Sequence, residues 1–199
     1  MGGLPAAPGT GWAALYLCYG WWMASRTVIP LRDRPVDWFI LAFFVVNLGL
    51  ISYIVDLEQL VIGSREHFAY PLWPPKAMVD LVHWWGDNFD PLQNARPAWW
   101  RATIWIDVLL FGPFYAVALY AIIRGKEWIR IPAFFWAGMM FAIVTIIMFE
   151  ECVGPFRSPA IATVASANLP WWLLPLFVTW RFARSEHPFT RGVAPQQDG

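Results

Sequence analysis

The sequence predicts an all-α fold: a polytopic membrane helix bundle of five transmembrane helices with an interfacial capping loop. Hydrophobic residues make up 58% of the 199 residues and charged residues only 14%, whereas soluble domains carry about 25% charged residues. The apolar stretches are about 20 residues long, enough to cross a bilayer core of about 30 Å at a rise of about 1.5 Å per residue. Acidic residues stand near the ends of several stretches, where neighbouring helices meet one side of the membrane.

Five apolar stretches qualify as spans. They cover residues 11–29, 37–55, 102–123, 131–149 and 161–182. The first is the weakest, because Arg26 shortens its apolar length and Pro30 stops it. Residues 1–10 lack the basic region of a cleavable signal peptide, so we expect the first span to be retained. We therefore predict a single membrane domain over residues 1–199, ending in a short cytoplasmic tail at residues 185–199.

Basic residues orient the bundle. They occupy the first connection, the third connection and the segment after the fifth span, as Arg26, Arg32 and Arg34, then Arg124, Lys126 and Arg130, then Arg181, Arg184 and Arg191. Cytoplasmic connections are enriched in lysine and arginine, so we expect the N terminus outside or in the lumen and the C terminus in the cytoplasm. The membrane would be the endoplasmic reticulum in a eukaryote and the cytoplasmic membrane in a bacterium.

The second connection, residues 57–101, is unusually long and predicts a cap on the bundle. Apolar side chains recur at helical spacing between residues 76 and 85, at Met78, Val79, Val82 and Trp85. A short amphipathic helix lying in the membrane interface accounts for this pattern.

Prolines interrupt two of the predicted spans. Gly112-Pro113 falls in the middle of the third span, and Pro170 and Pro175 fall in the fifth. In lipid such kinks are tolerated only where neighbouring groups satisfy the freed carbonyls. We expect either simple kinks or an opening between the helices, and the nearby acidic residues favour a cavity.

Three of the predicted spans carry acidic residues near their outer ends. A carboxylate at membrane depth costs roughly 2.5–3.5 kcal/mol on insertion scales, so by default it marks a functional site. Asp107 is the strongest candidate, because it lies within an apolar helix and we expect burial to keep it protonated as a proton donor; the alternative is a structural hydrogen bond. Asp56 closes the second span at the same level, as a proton acceptor or an ordinary interfacial acid. Glu150 and Glu151 close the fourth span as interfacial acids, with the alternative that one of them faces inward, and Glu150 is counted among the candidate substrate contacts.

Other polar and aromatic side chains are candidates for substrate binding. Asn168 and Trp171 lie one turn apart in the fifth span, and the face of a tryptophan stabilises a desolvated cation by roughly 1–2 kcal/mol. That suits an ammonium ligand or a carbocation intermediate, although bulky packing explains a tryptophan equally well. Asp90 precedes a proline, a common turn and cap arrangement, with direct ligand contact as its second role. Trp105, two residues before Asp107, is a further candidate contact.

Composition and motifs argue against several functional classes. The formal net charge is zero, which gives no support for nucleic-acid binding. The three histidines, His67, His83 and His187, lie outside the spans and form no cluster with cysteine, so we expect no metal or nucleotide cofactor. Cys18 and Cys152 stand in or beside apolar runs, either as a disulfide or as two small apolar side chains.

Several short segments between residues 37 and 184 carry a family resemblance. They are Asp90-Pro91-Leu92-Gln93, Arg96-Pro97-Ala98-Trp99-Trp100, Asp107, Pro113-Phe114-Tyr115, Gly125-Lys126, Trp128-Ile129-Arg130-Ile131-Pro132-Ala133 and Phe149-Glu150. This ordered set resembles the EXPERA family, which includes the emopamil-binding protein (a sterol isomerase) and the sigma-2 receptor. The resemblance implies a membrane protein that binds a sterol or terpenoid, with a homodimer as a further implication.

The resemblance also implies roles for individual residues. Asp56 and Asp90 match acidic pocket positions of the sigma-2 receptor, and Asp56 also matches a catalytic glutamate of the isomerase. Asp107 matches a helix glutamate of the receptor. Asn168 and Trp171 match an asparagine and a tryptophan of the isomerase pocket.

Two positions depart from the isomerase pattern. Ser52, which we count as a pocket contact, replaces the catalytic histidine that lies one turn before the glutamate. Ile104 stands where another catalytic glutamate is expected, one turn before Asp107. The resemblance therefore supports a shared pocket more strongly than a shared reaction.

The sequence supports two main hypotheses. The first is an isomerase or cyclase acting on a sterol or isoprenoid, in which Asp107 delivers a proton to a double bond, Trp171 shields the carbocation and Asp56 removes a proton elsewhere. The second is a non-catalytic protein, similar to the sigma-2 receptor, that binds or traffics lipids and cationic amphiphiles. A structural membrane subunit would explain the tryptophan content but not the buried acids.

Overall fold

The computed structural model describes residues 26–193, most of which are helical. In chain order the helices are α1 (Pro35–Val61), α2 (Lys76–Asn88), α3 (Pro91–Ala95), α4 (Ala98–Ile123), α5 (Glu127–Val153) and α6 (Ile161–Ala183). Within the described range α1, α4, α5 and α6 are long and apolar enough to cross a membrane. The predicted all-α bundle of an integral membrane protein is confirmed. The first predicted span, residues 11–29, lies outside the described residues up to position 25, and its last part was wrongly predicted, because Arg26–Val28 form a short strand and not a helix.

Three spans extend beyond their predicted ends, and α5 does so at both ends, since it covers Glu127–Val153 and not only 131–149. α1 continues to Val61. Asp56 was predicted to close this span, but it lies inside it. α4 begins at Ala98, which puts Asp107 about two and a half turns into the helix instead of about one. The predicted ends were wrong because a hydropathy pattern assigns polar residues to loops. Glu58 is polar, yet it is fully buried in the last turns of α1.

Both of these helices change their hydrogen-bond spacing partway along. Asn47–Asp56 in α1 and Asp107–Phe111 in α4 form π-helical turns, in which each N–H bonds to the carbonyl five residues earlier. Pro113 accounts for the second, because proline has no N–H and its ring clashes with the carbonyl four residues earlier. The predicted kink therefore takes the form of a widened turn. Pro170 and Pro175, in contrast, lie within the continuous α6.

An aromatic core lies between α1, α4 and α5. Phe44, Tyr115 and Trp136 are almost fully buried, and the rings of Phe44 and Trp136 pack edge to face with their centroids 5.1 Å apart. Trp136 Nε1 donates a hydrogen bond of 3.2 Å to the Tyr115 hydroxyl, which satisfies a polar group that is costly to bury alone. The same apolar cluster includes Phe111 and Met140, which line the cavity described below.

A buried ionic cluster closes the end of the bundle where α1 begins. Asp37 is fully buried and accepts hydrogen bonds from Arg34 Nη1 at 2.7 Å and from Arg181 Nε at 2.9 Å. The ring centroid of Phe189 lies 5.0 Å and 5.9 Å from the guanidinium carbons of these two arginines. The charge pattern predicts both arginines as cytoplasmic, but it does not reveal that they share one buried carboxylate.

Two short strands fasten the same end. β1 (Arg26–Val28) pairs antiparallel with β2 (Thr190–Gly192), which joins the segment before α1 to the segment after α6. The loop after α4 packs against β1, because a Cβ on Gly125 would lie 2.5 Å from a methyl carbon of Val28. Gly125 also has a φ of 63°, a left-handed conformation that favours glycine. Strands this short carry too little periodicity to be predicted.

Asp37→Ala is expected to destabilise the protein strongly. The substitution leaves two guanidinium groups without their shared counter-charge, and removing one partner of a buried ion pair costs about 3–5 kcal/mol. Asp33→Ala is the matched control, because the Asp33 side chain is 53% exposed and exposed ion pairs contribute about 0–1 kcal/mol. Thermal unfolding of the purified protein in detergent measures the difference. Equal unfolding midpoints for the two variants would contradict the structural role of the cluster.

Candidate functional site

A cavity of about 410 Å³ lies between α1, α2, α4, α5 and α6, within the range of about 300–1,000 Å³ that is typical of small-molecule sites. Most of its wall is aliphatic, with contributions from Ile51, Val144 and Ile147. The polar and aromatic residues in the wall are Asp56, Gln59, Asp90, Gln93, Thr103, Asp107, Asn168, Trp85, Trp100, Phe111 and Trp171. The fold therefore gathers most of the candidate site residues around one apolar space.

Ser52 and Asp107 connect the two π-helical turns. The Ser52 hydroxyl donates a hydrogen bond to Asp107 Oδ1, and both side chains are buried. No other described donor bonds the carboxyl, so Oδ2 remains available to the cavity. Ser52 thus acts here as the hydrogen-bond partner of Asp107. π-Helical turns are frequent at functional sites, and here they bring a polar contact into the membrane-spanning part of the bundle.

Asp56 presents the second carboxyl to the cavity. It is 8% exposed and receives no hydrogen bond from the described residues. Asp107 lines the same cavity. Neither acid forms an ion pair with a basic side chain in the described part of the chain. The two acids are therefore available to a ligand or to each other.

Trp171 is held in the cavity wall by Asn47, a residue that the sequence patterns do not single out. Trp171 Nε1 donates a hydrogen bond of 2.8 Å to Asn47 Oδ1. Asn47 is fully buried, and its amide nitrogen donates to the Phe43 carbonyl at 2.8 Å. Because the indole N–H is occupied, Trp171 contributes ring surface to the cavity. The available signal was a lone amide in an otherwise apolar span, since buried polar groups in membranes usually have specific partners.

Asn168 and Asp90 contribute further polar groups. Asn168 Nδ2 donates to the Val164 carbonyl at 3.0 Å, which leaves its carbonyl oxygen as the group for a ligand. Asp90 is 6% exposed, and its Oδ1 accepts from Gln93 N at 2.9 Å, which caps α3. Asp90 thus holds the cap and also lines the cavity.

The predicted interfacial capping helix is present as α2. Leu81, Val82 and Trp85 extend from it into the cavity wall. Leu81 is also 50% exposed, so α2 forms a thin wall between the cavity and the surroundings. The predicted range, residues 76–85, is short by one turn at its C-terminal end.

A buried ionic network anchors the cap to α1. Glu58 is fully buried and accepts hydrogen bonds of 3.0 Å and 2.9 Å from Arg96 Nη2. His83 Nε2 lies 2.7 Å from Glu58 Oε1. Glu58 falls in the second connection predicted from the sequence, residues 57–101, and no role was predicted for His83, because partners that are distant in the chain leave no periodic signal.

A second ion pair holds the outer surface of α2. Arg65 donates hydrogen bonds of 2.8 Å and 3.0 Å to the two carboxylate oxygens of Asp87. These hydrogen bonds hold the pKa of Asp87 below its ordinary value of 3.8. The stabilisation is therefore present at neutral pH and is lost only as the pH falls through the lowered pKa. It is modest, because the Asp87 side chain is 58% exposed.

The structure leaves three of the candidate residues outside the cavity wall: Ser52, which contacts Asp107 instead, Trp105 and Glu150. Trp105 is 48% exposed and lies on the outer face of α4. The sequence could not show this, because a nearly all-apolar helix has no polar face that reveals which side points inward. Glu150 Oε1 accepts a hydrogen bond from Phe156 N at 3.0 Å and so caps the turn after α5. Its neighbour Glu151 is the inward-facing acid of the pair, at 1% exposure.

Metal-ligand geometry is not found in the described residues. Within 26–193, no group of three or more His, Cys, Asp or Glu side chains is placed to hold an ion. Cys152 is exposed, whereas Cys18 lies outside the described residues, so the alternatives for the two cysteines stay open.

These features define an integral membrane protein whose helices enclose an acid-lined cavity. The family model described as EXPERA (EXPanded EBP superfamily) matches residues 77–182, more than half of the chain. The chain belongs to this family, and the resemblance predicted from its short segments is confirmed.

Three curated relatives carry the name Sigma intracellular receptor 2. The chain is 28% identical to the Xenopus tropicalis protein over 156 residues, which cover 73% of this chain and 86% of that receptor. It is 27% identical to the human receptor over 128 residues, covering 61% and 68% of the two chains. The Macaca fascicularis receptor is 26% identical over 129 residues, covering 62% and 68%.

Glu58→Gln is expected to loosen the cap, because it removes the charge that Arg96 and His83 share. Breaking a buried pair of this kind costs up to about 3–5 kcal/mol, so the segment between α1 and α2 should be cleaved several-fold faster in limited proteolysis of the detergent-solubilised protein. Glu66→Gln is the control, since Glu66 is exposed in the same segment. A cleavage rate of Glu58→Gln equal to that of the control would show that the network does not hold the cap.

Proposed function

We propose that the protein binds a hydrophobic lipid of the sterol or isoprenoid class in this cavity and shifts a double bond, or closes a ring, by acid–base chemistry. The observation that carries the proposal is the pair of buried carboxyls, Asp56 and Asp107, which face an apolar cavity without a basic partner among the described residues. Membership of the EXPERA family favours this lipid class.

The composition of the cavity wall supports a ligand that is mostly hydrocarbon with few polar atoms. An aliphatic wall gives no hydrogen bonds to a polar ligand, and burial of apolar surface contributes about 25 cal/mol per Å². Seven polar side chains interrupt this wall, and two of them, Asp56 and Asp107, are carboxyls on the membrane-spanning helices α1 and α4. This distribution fits a lipid with a single hydroxyl or a reactive double bond near the two acids.

The two acids are placed for opposite roles in moving a proton. Ser52 bonds to Asp107 Oδ1, which leaves Oδ2 to carry a proton and deliver it to one carbon of a double bond. The cation that forms on the adjacent carbon would be stabilised by the ring surface of Trp171. Asp56, as the carboxylate, would then take a proton from a neighbouring carbon, so the double bond moves and the number of protons is unchanged.

A second candidate is a non-catalytic binding protein. The observation that favours it is the carboxyl of Asp56, which has no hydrogen-bond donor among the described residues and would suit the ammonium group of a cationic amphiphile. The relatives named as receptors support the same alternative. In this case Asp107 and Ser52 would serve as a structural contact.

We further propose the orientation that the basic residues predict, with the C terminus in the cytoplasm. Its support is the exposure of Arg26, Arg32, Arg124 and Arg191 at the end of the bundle opposite the cap. The homodimer and the choice of membrane stay predictions that rest on the family and on the source of the chain.

Asp107→Asn is expected to abolish turnover while leaving lipid binding largely intact, because asparagine keeps the size and the acceptor for Ser52 but cannot donate the same proton. Positioned acid–base groups contribute about 10²–10⁴-fold to rate. The purified protein would be incubated with a panel of sterols and linear isoprenoids in D₂O, and products identified by mass spectrometry. A product of proton-initiated isomerisation should carry one deuterium at the carbon that Asp107 protonates.

The control for this experiment is Asp33→Asn, the same change at an exposed aspartate. Normal turnover by Asp107→Asn would refute its role as proton donor. Saturable binding of the panel without any product from the unmodified protein would favour the receptor alternative.

Asp56→Asn separates the two candidates further. If the site binds cationic amphiphiles, loss of the carboxylate should weaken amines by about 10–100-fold, since a charge-assisted hydrogen bond contributes about 1.5–3 kcal/mol, and should leave matched neutral alcohols nearly unchanged. If the site is an acid–base enzyme, both ligands should bind almost normally and turnover should be lost. Ligand titration by calorimetry, together with the product assay, measures both.

A further inference from the structure

One polar side chain in the cavity wall has no hydrogen-bond partner in the described part of the protein. Gln93 in α3 is 6% exposed and lines the cavity. Its described hydrogen bonds are made by its backbone alone, so the side-chain amide bonds to no residue within 26–193. The amide atoms are not sealed off by protein either. Because burying an unpartnered amide is costly, Gln93 offers a hydrogen-bonding group to the contents of the cavity.

The other uncharged polar side chains of the wall already have partners. Gln59 Oε1 accepts a hydrogen bond of 2.6 Å from Trp100 Nε1. Thr103 Oγ1 donates to the Trp100 carbonyl at 2.8 Å, and Asn168 Nδ2 donates to a carbonyl of its own helix at 3.0 Å. Gln93 differs from all three, since both the donor and the acceptor of its amide are available to a ligand.

The backbone of Gln93 is fixed from both sides. Gln93 N donates to Asp90 Oδ1 at 2.9 Å, and Arg96 Nε donates to the Gln93 carbonyl at 3.1 Å. The same guanidinium group is bound to the buried Glu58 of α1 through Nη2 at 2.9 Å. The position of Gln93 relative to α1 is therefore set before a ligand binds, which lowers the entropic cost of recognition.

Gln93 lies nearer the cap than the acid that we propose as the proton donor. Arg96, which holds Gln93, also donates to the Gln59 carbonyl through Nη1 at 3.4 Å. Asp107 is bonded to Ser52, which precedes Gln59 by seven residues, about 10 Å along a helix axis. Gln93 and Asp107 line one cavity, so a single lipid can contact Gln93 with one part and Asp107 with another.

The chemistry of these two places differs. An amide carries no charge and offers both a donor and an acceptor, which a hydroxyl group complements because it also donates and accepts. A carboxyl such as that of Asp107 suits proton transfer. Most of the remaining wall is apolar, which suits a hydrocarbon segment that joins a hydroxyl at Gln93 to a reactive group at Asp107.

We propose that the Gln93 amide binds the hydroxyl of a neutral lipid alcohol and so places the double bond of that lipid beside Asp107. The inference rests on the proposed function and narrows its substrate class to alcohols in which several carbon atoms separate the hydroxyl from the reactive double bond. Gln93 touches no reacting atom, so it determines specificity and takes no part in the proton transfers. A contact remote from the reacting centre still raises the rate, because it holds the substrate in the reactive orientation.

Calorimetric titration of the purified protein in detergent tests the hydroxyl site without any reaction. The probes are cholesterol and farnesol, each paired with the hydrocarbon in which hydrogen replaces the hydroxyl. The unmodified protein should prefer the alcohol of a pair. Gln93→Leu should weaken the alcohol by about 10-fold, the effect of losing a neutral hydrogen bond, and leave the hydrocarbon nearly unchanged. Binding of the hydrocarbon also shows that the variant is folded.

Asn94→Leu is the matched control, because it changes an amide to leucine at the next residue. Asn94 is not part of the cavity wall, and its amide donates to Asp87 Oδ1 at 3.0 Å, so this variant should keep the preference for the alcohol. A preference that survives in Gln93→Leu would overturn the role of Gln93. So would an equal loss of alcohol and hydrocarbon in that variant, or a preference that disappears in Asp56→Asn instead.

Kinetics test the positioning role. In the product assay in D₂O, Gln93→Leu should raise the KM of an alcohol substrate by about 10-fold and spread deuterium over more than one carbon, because the lipid is no longer held at one depth. An unchanged KM with deuterium at a single carbon would overturn the positioning role.

The two proposals fail in distinguishable ways. A protein that prefers the alcohols through Gln93 but converts none of them would overturn the proposed enzyme and leave the hydroxyl site in place. Conversion that is lost in Asp107→Asn and unchanged in Gln93→Leu would overturn the hydroxyl site alone. Saturable binding of none of the four probes would overturn both.

Discussion

The site depends on one polar contact, the hydrogen bond between Ser52 and Asp107 in the membrane-spanning part of the bundle. In lipid each polar group must find its partner inside the protein, and this contact joins two helices at the turns where both depart from α-helical spacing. The helices also approach closely nearby, because a Cβ on Gly112 would lie 2.7 Å from the Tyr53 hydroxyl oxygen. The close approach and the hydrogen bond together fix one wall of the cavity and the position of its central acid.

Arginines pair with buried acids at the two ends of the bundle, which leaves the cavity acids without a basic partner among the described residues. At one end two arginines converge on Asp37, and at the other Arg96 converges on Glu58. These basic groups are committed to structural carboxylates, and in the described part of the chain none is left beside Asp56 or Asp107. A membrane protein tolerates an unpaired buried acid only when the rest of the fold is stable enough to impose it. The two ionic clusters lie outside the site and connect the elements at the two ends of the bundle.

How much could be predicted from the sequence varies with the kind of signal. The span positions and Asp107 were predictable, because hydropathy and a charge inside an apolar run are local features of the chain. The sequence does not separate Glu150 from Glu151, or show which way Trp105 faces, because neighbouring positions on an apolar helix differ only in the direction they face. The role of Asn47 was missed because its partner lies in another helix. The widened turns of α1 and α4 were also unpredicted, since no residue pattern distinguishes them from an ordinary or proline-kinked helix.

The pairing of β1 with β2 has a consequence for how the chain is made. β1 is synthesised before the four described spans, whereas its partner β2 follows the last of them. The two strands can therefore pair only after all four spans have been made. Only then can Phe189 pack against the two guanidinium groups and close the end of the bundle that we propose to face the cytoplasm. The pairing of β2 with β1 is therefore the last step in forming this end of the bundle. Until it forms, the two arginines remain uncovered by Phe189.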